Sequence, residues 1–137
     1  MTATLLVAAA ALVVAVLGTV HLVYTFSGTK LHPRDEPLIA RMKQVSPRLT
    51  QETTIWRAGL GFHASHSLGA MLFATVFASL ALAPGAPLFA MPVVALAGAA
   101  YLLAMLVLAR RFWFRIPFRG LAIATALYLG GLTLAWT

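Results

Sequence analysis

The sequence contains no cysteine and only three acidic residues, and charged residues make up 9% of its 137 positions. The lack of cysteine excludes disulfides and thiolate metal sites, and leaves no thiol that would indicate the redox compartment. A soluble domain carries about 25% charged residues. A chain with so few charges cannot cover the surface of a water-soluble fold, so we expect much of its surface to face lipid.

Ten basic residues give the chain a net charge of +7, and their positions decide what this charge means. They fall in two stretches, residues 30–57 and 110–119, and each stretch lies between apolar segments. Basic loops of this kind are retained on the cytoplasmic side of a membrane. The distribution therefore argues against nucleic-acid binding and predicts contact with membrane lipids.

Four apolar segments are each close to the ~20 residues that cross a hydrocarbon core of ~30 Å. We predict membrane spans at residues 3–26, 54–82, 88–109 and 112–136. In lipid these segments must be helices, because strands would leave their backbone groups unpaired. The predicted fold class is all-α, an integral membrane four-helix bundle that forms a single transmembrane domain over residues 1–137.

The charge distribution also predicts an orientation. If both basic stretches are inside, the N-terminus, the turn at residues 83–87 and the C-terminus all lie outside, and none of these regions carries a charged residue. We expect the bacterial cytoplasmic (inner) membrane, with both termini outside. The first segment has no basic residues before its apolar run, so we expect a permanent span and no cleaved signal peptide.

The predicted inner loop, residues 27–53, contains a short amphipathic pattern. Its apolar residues fall on one helical face: Leu38, Ile39, Met42 and Val45. Acidic residues at the start of the pattern and basic residues near its end match the helix dipole. We predict a short amphipathic helix on the cytoplasmic leaflet, ended by Pro47; the alternative is a solvated connector. Ser46 or Thr50 is predicted to cap the second span.

Three histidines are the candidate site residues. His63 and His66 are three positions apart on one face of the second span, about 14 and 18 Å along the helix from its start. His21, about 7 Å from the loop end of the first span, is the candidate partner. Three tyrosines are candidate second contacts: Tyr24, Tyr101 and Tyr128. The remaining histidine, His32, lies in the loop, where we expect it to be solvated.

Three kinds of chemistry fit these residues. Neutral imidazoles bind transition metals, and His63, His66 and His21 form a candidate metal site, although no carboxylate lies within a span to complete it. Haem held by histidines is a weaker alternative, because nothing beyond the histidines favours it. A proton or a small polar ligand is the third. Histidines can also simply fix the packing of helices, which contributes about 0.6 kcal/mol on average.

A stripe of small residues follows the same helix at Gly61, Ser65 and Gly69, and such stripes let another helix approach closely. The leading prediction is a small membrane protein that binds or transports a metal ion, a proton or a small polar ligand at an intramembrane histidine cluster. The alternative is a non-catalytic accessory subunit that packs against a larger membrane complex or against itself, through this stripe or Gly130 and Gly131. A membrane enzyme comes third, because the spans contain no acid–base pair.

Two stretches carry a resemblance to known proteins: residues 61–74, GFHASHSLGAMLFA, and residues 28–35, GTKLHPRD. In these the chain resembles a group of small, uncharacterised bacterial four-span membrane proteins, and in outline it is similar to DoxX-like and small multidrug-resistance proteins. The resemblance implies a fold and no activity. The multidrug-resistance transporters use a glutamate in the first span, which this sequence lacks, so no functional residue is carried over.

Overall fold

The computed structural model describes residues 1–137 and confirms the all-α fold, with 78% of the chain in helices and no strand. Four of the helices are long and apolar enough to cross a membrane, and the chain is a membrane protein with a four-helix bundle fold. The α-helices are α1 Thr2–Phe26, α2 Glu36–Met42, α3 Ile55–Leu82, α4 Pro92–Phe112 and α5 Arg115–Trp136.

The first two predicted spans match α1 and α3 to within a residue, whereas the last two differ at their ends. A 3₁₀ turn at Pro87–Ala90 precedes α4, and Ala86 before it has a left-handed φ of 44°. The helix starts only at Pro92, because proline is well suited to the first helical position. Hydropathy alone places all these apolar residues in one span.

The short helix predicted in the loop is confirmed as α2, but its end is earlier than expected. Asp35 caps its start, where the carboxylate oxygen accepts a hydrogen bond from the backbone N–H of Leu38 at 3.2 Å. The helix ends at Met42, well before Pro47, so Val45 lies beyond it. The carbonyl of Val45 instead accepts a hydrogen bond from the N–H of Ile55 at 2.8 Å.

The predicted cap of the second span is wrong. The hydroxyl oxygen of Thr54 accepts a hydrogen bond from the N–H of Arg57 at 3.3 Å, which is the geometry of an N-cap. The hydroxyl oxygen of Thr50 accepts from the N–H of Glu52 and so belongs to the loop. Thr50 and Thr54 both precede α3. Which of them caps the helix depends on where its first turn begins, and the sequence does not show this.

The chain forms two compact units. The first, which we call the aromatic unit, comprises Met1–Leu17 and Ala70–Thr137. At its centre Tyr128 is fully buried and donates a hydrogen bond to the carbonyl oxygen of Ala95 at 3.0 Å. The absence of a side chain at Gly98 leaves room for the Tyr128 hydroxyl and the Phe77 ring, which would both collide with a Cβ atom there.

The second unit, which we call the loop unit, is Gly18–Gly69. It contains the last part of α1, the whole loop with α2, and the first half of α3. Within α2 only Ile39 is buried, with 7% of its surface exposed. All four histidines of the chain lie in this unit, so we infer that it contains the candidate site.

Candidate functional site

The structure brings His21, His63 and His66 together. The Nε2 atom of His21 and the Nδ1 atom of His63 are 3.2 Å apart, a hydrogen-bond distance between α1 and α3. The ring centroids of this pair are 5.2 Å apart, and the ring of His66 lies 5.4 Å from that of His21 in an edge-to-face arrangement. We call these three side chains the imidazole group.

The imidazole group lies at a defined depth along its helices. His21 is five residues before the end of α1, and His63 is eight residues after the start of α3. At about 1.5 Å of rise per residue, the backbone of His21 lies about 8 Å from the loop end of α1. The backbone of His63 lies about 12 Å from the loop end of α3. The loop ends of α1 and α3 thus place the two rings at similar depths.

Two hydroxyl groups support the backbone beside these rings. Thr25 donates to the carbonyl oxygen of His21 at 2.8 Å, and Ser67 donates to the carbonyl oxygen of His63 at 3.0 Å. Both hydroxyl side chains are buried, and each bond spans one turn of its own helix. Because these hydroxyl hydrogens are already used, the chemistry available at this point is that of the imidazole rings.

A cavity of about 60 Å³ adjoins the imidazole group on the side of the loop. His63 lines it from α3, and His32 lines it from the loop. The ring of His32 packs edge to face on Trp56, with the centroids 4.8 Å apart. His32 is therefore partly buried, with a packing contact on Trp56 that the expectation of a solvated residue did not include. No spacing pattern links positions 32 and 56, so the sequence carries no signal for this contact.

The tyrosines predicted as second contacts have other partners. The hydroxyl of Tyr24 accepts a hydrogen bond from the Nζ of Lys30 at 3.0 Å, and the same Nζ lies 4.3 Å from the centre of the tyrosine ring. Tyr101 and Tyr128 belong to the aromatic unit. There the ring of Tyr101 stacks on that of Phe73, with the centroids 4.8 Å apart. The hydroxyl of Tyr128 donates its hydrogen bond to the carbonyl oxygen of Ala95.

The small-residue stripe of α3 is exposed along its whole length. Gly61, Ser65 and Gly69 are all open to the surroundings, and a Cβ atom added at either glycine meets no atom within 4 Å. The hydroxyl of Ser65 donates to the carbonyl of Phe62 in its own helix. No helix of the loop unit fills this stripe, and its packing role stays a prediction.

Metal coordination by the imidazole group requires a third ligand besides the facing nitrogens of His21 and His63. Two ligand nitrogens on a tetrahedral ion, each at about 2.0–2.1 Å, are about 3.3–3.4 Å apart, so the separation of His21 and His63 alone does not distinguish a metal from a shared hydrogen. A third protein ligand would distinguish a metal site from a hydrogen bond. No group of three or more His, Cys, Asp or Glu side chains is arranged to hold a metal ion.

Comparison of the chain with protein-family models, curated proteins and solved structures gives no match. The resemblance to small bacterial four-span proteins and to DoxX-like proteins therefore stays a prediction. What this protein does must be inferred from its own side chains.

Proposed function

We propose that this protein binds a proton at the imidazole group, as a small polytopic protein of the bacterial cytoplasmic membrane with both termini outside. The observation that supports this proposal most strongly is the 3.2 Å contact between His21 Nε2 and His63 Nδ1. The orientation is supported by the absence of charged residues from the turn at 83–87 and from both ends of the chain.

Imidazole is suited to this role by its acid–base chemistry. It is the only side chain whose ordinary pKa lies close to physiological pH, and a neutral ring has one donor and one acceptor nitrogen. In the neutral pair, one of the two facing nitrogens carries the hydrogen and the other accepts it. An added proton therefore binds the outer nitrogen of the ring that donates this hydrogen bond, and the bond between the two helices stays in place.

Repulsion between the rings sets how many protons bind. Two positive charges 5.2 Å apart, the centroid distance of His21 and His63, repel each other by about 3 kcal/mol at an effective dielectric constant of 20. That energy corresponds to a factor of more than about 100 against the doubly charged pair. The repulsion therefore favours one excess proton on the group over two, and the rings bind it as a coupled set.

A role limited to packing explains the group less well. Ionisable residues inside membrane spans are costly, and they usually mark ion pathways, proton relays or ligand sites. A hydrogen bond between spans contributes about 0.6 kcal/mol on average, and uncharged polar side chains can supply it as well. None of the four long helices contains an acidic residue, so the charge of an imidazolium here is not neutralised by a carboxylate within a span.

Proton uptake by the purified protein in lipid nanodiscs tests the proposal. On acidification from about pH 8, we expect the wild type to take up about one proton more than a His21→Asn/His63→Asn/His66→Asn variant, since the three rings are coupled. Subtracting the proton uptake of this variant from that of the wild type removes any contribution of groups that the two proteins share, such as His32 and the N-terminus. A difference of about three protons would contradict the shared site. So would a bound transition metal, at one ion per chain, that blocks uptake until it is stripped.

The exposed stripe on α3 supports a second candidate function, that of an accessory subunit that associates through Gly61, Ser65 and Gly69. A Gly69→Leu substitution is expected to dissociate such a complex in mild detergent, as measured by its mass in light scattering. Ala97→Leu, at an exposed position of α4 and outside the stripe, serves as the control. If the mass of a single chain is found for the wild type as well, this second function is excluded.

A further inference from the structure

The cavity beside the imidazole group is bounded by two different parts of the loop unit. On one side it is lined by loop residues, among them His32 and Met42, and on the other by Gly59 and His63 of α3. Thr25, one turn after His21 on α1, also contributes to its wall. The cavity thus extends from the loop to the ring that is hydrogen-bonded to His21.

The size of this cavity suits water, and its lining combines apolar side chains with His32 and His63. One water molecule needs about 10–15 Å³ of such volume, so about 60 Å³ holds roughly four. Water stays in a cavity only where polar groups can bind it, and both His32 and His63 line this one. The nitrogen of His63 that faces His21 is Nδ1, so Nε2 is the nitrogen of this ring that is not used in that contact.

The charges around the cavity discriminate between possible ligands. The loop unit carries six basic and three acidic side chains, hence a net charge of +3. One of the basic groups, the Nζ of Lys43, lies 5.1 Å from the ring centre of Trp56, which itself lines the cavity. A positive field opposes a resident metal cation and, by the same sign, a resident excess proton. It does not oppose neutral water, so water is the species expected to occupy the cavity.

We propose that this cavity is an aqueous vestibule through which the imidazole group exchanges its proton with the loop side of the membrane. The order of transfer is His32 and cavity water, then His63, then His21. This inference rests on the proposed proton binding for its function, whereas the vestibule itself is a property of the structure. It assigns the route and the side of access, and it identifies a proton delivered through water as the ligand.

Cysteine labelling tests the vestibule directly, because the chain contains no cysteine of its own. Gly59→Cys places a thiol in the wall of the cavity, and Gly61→Cys places one on the exposed surface of the same helix two residues later. A Cβ atom at either glycine meets nothing within 4 Å, so both variants can fold. They form a matched pair at nearly the same depth.

The reagent is a membrane-impermeant, negatively charged methanethiosulfonate, added to one side of oriented proteoliposomes. Thiols react as thiolates, which form in water and not in lipid. We expect Gly59→Cys to react from the loop side at least about tenfold faster than Gly61→Cys, and not at all from the opposite side. Equal rates for the two variants, or reaction of Gly59→Cys from the opposite side only, would overturn the vestibule.

A second measurement separates failure of the vestibule from failure of the proposed function. Labelled Gly59→Cys should take up the same number of protons as the unlabelled variant but at least about tenfold more slowly, since the route is obstructed and the rings are intact. An unchanged rate would overturn the vestibule as the route. If the protein takes up no proton at the imidazole group, the proposed function fails, and the labelling rates alone decide whether the cavity is aqueous.

Discussion

A His63→Asn variant is expected to exchange protons at its remaining rings about 100-fold more slowly than the wild type, the scale of a lost proton-transfer group. His63 is the ring that both bonds to His21 and lines the cavity. Asparagine keeps a polar side chain of similar length but cannot ionise. The rate is measured by a pH jump on nanodiscs with a pH-sensitive dye in the external solution.

The matched comparison for this result is His66→Asn. His66 approaches the group through its ring contact with His21, so its replacement leaves both the His21–His63 bond and the cavity lining in place. We expect its exchange rate to stay within about threefold of the wild type. A His66→Asn variant that is slowed as much as His63→Asn would show that the order of transfer is wrong.

A Gly98→Val variant is expected to lose about 3 kcal/mol of stability, through overpacking of the aromatic unit. A Cβ at this position would lie 2.7 Å from the Cζ of Phe77 and against the hydroxyl of Tyr128. Relief of that overlap requires the Tyr128 ring to move, and its hydrogen bond to Ala95, worth about 1 kcal/mol, would then be lost as well.

Stability can be measured by reversible unfolding in mixed micelles, with Gly61→Val as the control. Gly61 has open space where the side chain would go, so we expect its replacement to change stability by less than about 1 kcal/mol. Similar losses in both variants would mean that Gly98 matters as a helix residue and not as a space for Tyr128 and Phe77.

The spans were predictable because lipid imposes simple rules on composition. A run of about 20 apolar residues must be helical in a membrane, and the two basic stretches separate the runs clearly. The ends of the helices were less predictable. The start of α4 depends on a left-handed residue at Ala86 and a proline at Pro92, both inside an apolar stretch that hydropathy treats as uniform.

The candidate site was predictable only in part. The spacing of His63 and His66 places both rings on one helical face, and His21 was recognisable as the only histidine on α1. The contact of His32 with Trp56, and the cavity that they line, arise from how the loop folds back on α3. No helical or strand period governs the part of the loop around His32, which precedes α2, so this contact could not be predicted from the pattern.

The tyrosines show a further limit of the sequence. Tyr128 sits in the middle of an apolar helix, where its hydroxyl must find a partner, and a site in the interior was a reasonable expectation. Its partner is the backbone carbonyl of Ala95, which the missing side chain at Gly98 makes accessible. Every residue has a backbone carbonyl, so the sequence does not show which one accepts a hydrogen bond. A tyrosine in a functional site and a tyrosine bonded to the backbone therefore cannot be distinguished by sequence.

His21 and His63 are proposed to share a hydrogen within the membrane part of the protein. Solid-state ¹⁵N NMR of histidine-labelled protein in lipid bilayers measures this directly, through the coupling that a hydrogen bond transmits between two nitrogens. We predict a cross peak between His21 Nε2 and His63 Nδ1 that disappears in His63→Asn. The absence of this cross peak in the wild type, with the ¹⁵N shifts of two separately solvated rings, would show that His21 and His63 do not share a hydrogen.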